Sequence, residues 1–164
     1  MGKSGLKYAS VLPALIMMVI IFCFSSQPGS VSSDLSSGII NKVIRLAEST
    51  GVIQLTAQQR NEWNEALQFP ARKAAHMIEY AILGILIAFP FWVSGSRKKG
   101  IFLYSFLTGI LYAASDEIHQ LFVPGRAGQI RDVIIDGIGV LLGCSLFIRI
   151  VKRIKTGHTD GIAS

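Results

Sequence analysis

Four long apolar runs govern what this chain can fold into. They cover 8–24, 74–93, 101–123 and 130–151, and each is 17 to 23 residues long. A helix rising 1.5 Å per residue needs about 20 residues to cross a hydrocarbon core of about 30 Å. A membrane-spanning strand would take about 10 residues of alternating character, and these runs do not alternate. Apolar residues make up 51% of the chain and charged residues only 16%, against roughly 25% charged in soluble proteins. Disorder and a disulfide-stapled secreted scaffold are therefore excluded, and Cys23 and Cys144 both lie inside apolar runs. The sequence predicts one all-α domain over 1–164, an integral membrane bundle of four transmembrane helices.

Lys3 and Lys7 ahead of the first run suit the n-region of a signal peptide. The run is long for one, however, and Ser25-Ser26-Gln27-Pro28 is a poor small-x-small cleavage site. We read it as an uncleaved span. The net charge of +6 fits basic loops anchoring helices, so no nucleic-acid partner is expected. Lys3, Lys7, Arg97, Lys98, Lys99, Arg149, Lys152, Arg153 and Lys155 fall on one side of the four spans, with Asp160 the only acid there. The other side mixes seven basic residues with the remaining acids. Positive-inside logic puts both termini, the loop 94–100 and the tail 152–164 in the cytoplasm.

The segment 25–73 is then external. Ser32 or Ser33 can cap a helix through Glu48, with Leu35, Ile39, Ile40, Val43 and Ile44 on one face. Thr56 and Gln59 fit a capping box for a second short helix through Leu67, which Pro70 would stop or re-aim. Two amphipathic helices are expected, lying over the outer surface or packed together as a small cap. Trp63 and Phe69 suit the interface.

With this direction, polar residues of three spans reach one depth. Arg72, His76, Glu79 and Tyr80 lie along one stripe of the second span, and Asp116, His119 and Gln120 share a face of the third. Arg131, Asp132 and Asp136 open the fourth. Asp116 lies about 22 Å into its outward run, while Glu79 and Asp136 lie about 8 to 9 Å below the outer boundary. An acid or arginine at a helix centre costs about 2.5–3.5 kcal/mol, so these groups should turn inward to form an outward-opening polar pocket. Gly137, Gly139 and Gly143 would let a neighbouring helix approach closely. The inner halves are almost purely apolar, which leaves no transport path. Tyr80 reads as packing, Lys73 as snorkelling to the outer head groups, and Glu117 and Gln120 as pairing across helices. His158 lies in a polar tail, and Met17 and Met18 are membrane filler.

At these residues the chain resembles the VanZ-like family of bacterial membrane proteins. The resemblance rests on Phe24-Ser25-Ser26-Gln27-Pro28, on the run from Arg72 to Tyr80, on Ser115-Asp116-Glu117-Ile118-His119-Gln120, on Pro124-Gly125-Arg126 and on Arg131-Asp132. Asp136 stands where many members carry Asn. The resemblance implies a multi-pass protein of the bacterial cell membrane and an association with teicoplanin resistance, without supplying a reaction.

Three roles follow for the cluster. As an enzyme, a membrane-embedded hydrolase or transferase, it would use His76, Glu79, Asp116 and His119 as acid and base. As a binding module, it would hold an anionic or lipid-linked envelope ligand through Arg72, Arg126, Arg131, Asp132 and Gln120. As scaffolding, it would be an ion-pair network that fixes helix packing. Neither His-Glu-x-x-His nor paired cysteines occur, so no cofactor is expected, although two histidines with carboxylates can bind a divalent metal. Membrane lipids are the expected partners, and the oligomeric state is not legible.

Overall fold

The computed structural model describes residues 3–160, with side chains over 5–154. Its six helices are α1 Lys3–Ala9, α2 Leu12–Ser25, α3 Gly29–Ser49, α4 Ala57–Val93, α5 Lys98–Gln120 and α6 Ile130–Asp160, and there is no strand among the described residues. Four helical stretches, Gly5–Ser25, Ala57–Val93, Lys98–Gln120 and Ile130–Ile154, are long and apolar enough to cross a membrane. The chain is an all-α, multi-pass membrane protein, with its four spans where the apolar runs fall. The side chain of His158 lies outside the described residues.

Prolines shape the departures from the expected boundaries. The first span breaks between α1 and α2, because Pro13 has no N–H to give the carbonyl of Ala9. Helix α3 begins at Gly29 behind Pro28, not at Ser32 or Ser33. Ser33 does not cap it; its Oγ donates back to the Gly29 carbonyl at 3.0 Å. The Gly29 N–H instead donates to the Pro124 carbonyl at 3.1 Å, a partner 95 positions away that no local pattern reveals.

The helix that starts at Thr56 has both halves of its capping box. It does not end near Leu67. It runs through Pro70 into the second span as one helix of 37 residues, about 55 Å long and so well beyond a hydrocarbon core of about 30 Å. A proline inside a helix costs about 3 kcal/mol, and contacts with α3 offset that cost. Arg60 Nη2 bonds both oxygens of Glu48 at 2.9 and 3.0 Å. Asn64 Nδ2 donates to the Ser37 carbonyl at 3.1 Å, and Arg72 Nη1 to Ser33 Oγ at 3.1 Å. These pairs descend on α3 as they rise on α4, which makes the two segments antiparallel. Only Ile40 and Ile44 of the expected apolar face are buried; Leu35, Ile39 and Val43 are exposed. Helix α3 thus packs as a cap on one side and keeps a bare apolar stripe on the other.

The most extensive helix contact is between α4 and α6, and glycines set its closeness. A Cβ on Gly143 would run into the backbone of Ala81, and one on Gly139 into the carbonyl of Met77. A Cβ on Gly84 would stand 2.7 Å from the Val140 carbonyl oxygen. Gly137 faces Ile110 of α5 instead. Around this seam Ile21, Tyr80, Leu83, Ala113, Val140 and Cys144 form the main core. Tyr112 ties α2 to α5 by donating from its hydroxyl to the Met18 carbonyl at 2.5 Å.

Candidate functional site

The C-terminal ends of α2 and α5, the N-terminal end of α6 and the middle of α4 gather their polar residues at one end of the bundle. They form two adjoining groups with different degrees of hydrogen bonding.

The first group joins α2 to α5. Ser25, fully buried, donates from Oγ to Asp116 Oδ2 at 2.7 Å. Gln120 Nε2 donates to the same oxygen at 3.0 Å and to Glu117 Oε1 at 3.4 Å. Glu117 Oε2 accepts from the Gln129 N–H at 2.9 Å, which holds the start of α6. Glu117 and Gln120 therefore pair within α5 and with its following loop, not across to another span. His119 stacks on Phe22 with ring centroids 4.5 Å apart, and its Nε2 lies 3.0 Å from Ser26 Oγ. Ser26 Oγ also lies 2.7 Å from the Phe22 carbonyl. A hydroxyl has one hydrogen, and donation to that carbonyl leaves His119 Nε2 to donate to Ser26. That is the reverse of what a base activating a serine requires.

Arg126 locks this group shut. Its Nε donates to the Gln27 carbonyl at 2.9 Å, Nη2 to the Phe24 carbonyl at 3.0 Å, and Nη1 to Gln120 Oε1 at 3.4 Å. It caps the end of α2 from the 121–129 loop. Burial pulls its guanidinium below its ordinary pKa, with the nearby Asp116 charge working the other way; an arginine remains charged through such a shift.

The second group surrounds a cavity of about 280 Å³ whose lining includes Arg72, Lys73, His76, Glu117, Gln120, Arg126, Asp132 and Asp136. Lys73 does not snorkel away. It forms an ion pair with Asp132, across from α4 to α6. Arg72 spends one donor on Ser33 and has four of its five left. His76 Nδ1 stands 4.0 Å from Glu79 Oε2, beyond hydrogen-bond range, and is shielded without a hydrogen-bond partner. A second cavity of about 290 Å³ shares Ser32, Arg72, His76 and Arg126 with the first and adds Phe24, Leu35, Ile39 and Glu79.

The structure thus brings Arg72, His76, Gln120, Arg126 and Asp132 of the sequence-derived set to one cavity, with Glu79 beside it. Asp116 and His119 line neither cavity; they are engaged at the α2–α5 contact. Arg131 is exposed on the rim, its guanidinium carbon 5.0 Å from the centre of the Phe69 ring. Sequence reasoning gave Ser25 and Ser26 no role of their own, although two serines closing an apolar run just before Pro28 were the available signal. Among the described residues no three His, Cys, Asp or Glu side chains come together as a metal-ligand set.

The VanZ/LLP1 family model matches residues 10–152, most of the chain. The chain belongs to this family. The match takes in every lining residue of both cavities and all but the outermost residues of the first and fourth spans. No curated protein and no solved structure matches the chain.

Proposed function

We propose that this VanZ/LLP1 protein holds the anionic group of an envelope lipid, or of a lipid-linked or glycopeptide-related ligand, in a pocket that opens to the outside of the bacterial cell membrane, and that it contributes in this way to teicoplanin resistance. The observation that carries the reading is Arg72. It is half-buried at the wall common to both cavities, and most of its donors are unspent. A guanidinium in that state suits phosphate or carboxylate, which it can grip through two parallel bonds. The outward direction rests on the basic residues, which gather at the opposite end of the bundle. Membrane lipids are the partners this reading implies.

The shielded Nδ1 of His76, with Glu79 nearby, favours a second reading in which the same pocket catalyses hydrolysis or transfer on a bound lipid-linked substrate. Binding and turnover separate on the purified protein. Dioctanoyl phosphatidylpropanol, an anionic lipid with no other head-group charge, should bind the detergent-solubilised chain saturably, and Arg72→Gln should weaken it about tenfold or more. In cells, the same variant at unchanged abundance should lose the protein's effect on teicoplanin susceptibility. Equal lipid binding by wild type and variant would refute the anion site, and release of a product from the lipid would favour the enzyme.

A further inference from the structure

Asp136 is the one acid in the cavity wall that nothing in the protein satisfies. It is 2% exposed, it makes no hydrogen bond, and its Oδ2 is wholly shielded. Asp132 stands one turn before it on α6; one of its oxygens pairs with Lys73, and the other, Oδ1, is likewise shielded and without a partner. Both side chains line the same cavity as Arg72. One wall therefore offers spare donors and another offers spare acceptors. A buried carboxyl oxygen is stable only when a donor reaches it, and Lys73 shows that an ammonium fits against this stretch of α6.

We infer that the cavity recognises a zwitterionic head group: an anionic centre on Arg72 joined to an ammonium on Asp136, with Asp132 Oδ1 beside it. The inference rests on the anion site proposed above and adds the second half of the ligand. An ammonium suits an unpaired acid in the cavity wall better than a hydroxyl does, because it brings a positive charge as well as donors. A lipid is the source that the surroundings favour. The second cavity continues from Arg72 along Phe24, Leu35 and Ile39, which are apolar and exposed, as a track for an acyl chain.

The test compares dioctanoyl phosphatidylethanolamine with dioctanoyl phosphatidylpropanol, which keeps the phosphodiester and ends in a methyl where the first lipid ends in an ammonium. The detergent-purified full chain should bind the ethanolamine lipid about tenfold more tightly. Asp136→Asn should erase that preference and leave affinity for the propanol lipid within about twofold, which also shows that the variant is folded. Soluble phosphoethanolamine should bind about tenfold more weakly than its lipid. Equal affinity for the two lipids in wild type, or a preference that survives in Asp136→Asn, would overturn the inference while leaving the Arg72 site standing. Phosphoethanolamine binding as tightly as the lipid would overturn the lipid source. Binding of neither lipid would overturn the anion site itself.

Discussion

Gly143→Leu is expected to yield almost no folded, monodisperse protein, and Gly143→Ala to lower the thermal midpoint in detergent. A glycine in a helix interior ordinarily gains about 0.5–1 kcal/mol when replaced by alanine. At Gly143 the sign reverses, because the new Cβ meets the backbone of Ala81. A helix carbonyl cannot swing aside as a side chain does, so α4 and α6 must separate along a seam that also includes Gly84 and Gly139. Overpacking costs about 1–3 kcal/mol where side chains can adjust and more where they cannot. Gly38 provides the contrast. It is helical, and nothing lies within 4 Å of where its Cβ would be, so Gly38→Ala should raise the midpoint. If both alanine variants shift stability in the same direction, the close α4–α6 approach is wrong.

Arg126→Met should be the most damaging single change in the loops, at roughly 3 kcal/mol. Three donors leave at once: the Gln27 carbonyl and the amide oxygen of Gln120 lose their partner, and the Phe24 carbonyl keeps only backbone donation from the Gln27 N–H at 3.2 Å. Arg126→Lys should recover less than half of the loss, because one ammonium cannot reach acceptors spread over a planar fork. Hydrogen exchange locates the effect. Faster exchange confined to about residues 22–30 and 118–130 is expected, with the α4–α6 seam unchanged. An even increase over the whole bundle would mean that Arg126 is not a local clasp.

How much of this was legible in the sequence depends on the range of the interaction concerned. The spans were, because bilayer thickness fixes the length of an apolar run. The capping box at Thr56 was, because Gln59 is three residues away. The end of that helix was not. Pro70 is a local stop signal, and it is overridden by Glu48, Ser37 and Ser33 reaching across from α3. The shared altitude of the polar residues could be read from helical rise alone, and Arg72, His76, Gln120, Arg126 and Asp132 do line one cavity. Which neighbour each side chain chose could not be read. Helical spacing puts Asp116 and His119 on one face but does not say that the face meets Ser25 and Ser26 of α2. Lys73 at a span end fits snorkelling as well as pairing, and only the placement of α6 decides for Asp132.

An outward opening of the polar pocket predicts which end of the bundle is reachable from outside the cell. It is tested most directly by labelling single cysteines on intact cells with a membrane-impermeant maleimide, in a Cys23→Ser, Cys144→Ala background. Ala127→Cys, at the cavity wall, should react from outside, while Ser94→Cys, exposed at the opposite end of the bundle, should react only after the membrane is permeabilised. Labelling of Ser94→Cys on intact cells with Ala127→Cys protected would contradict it.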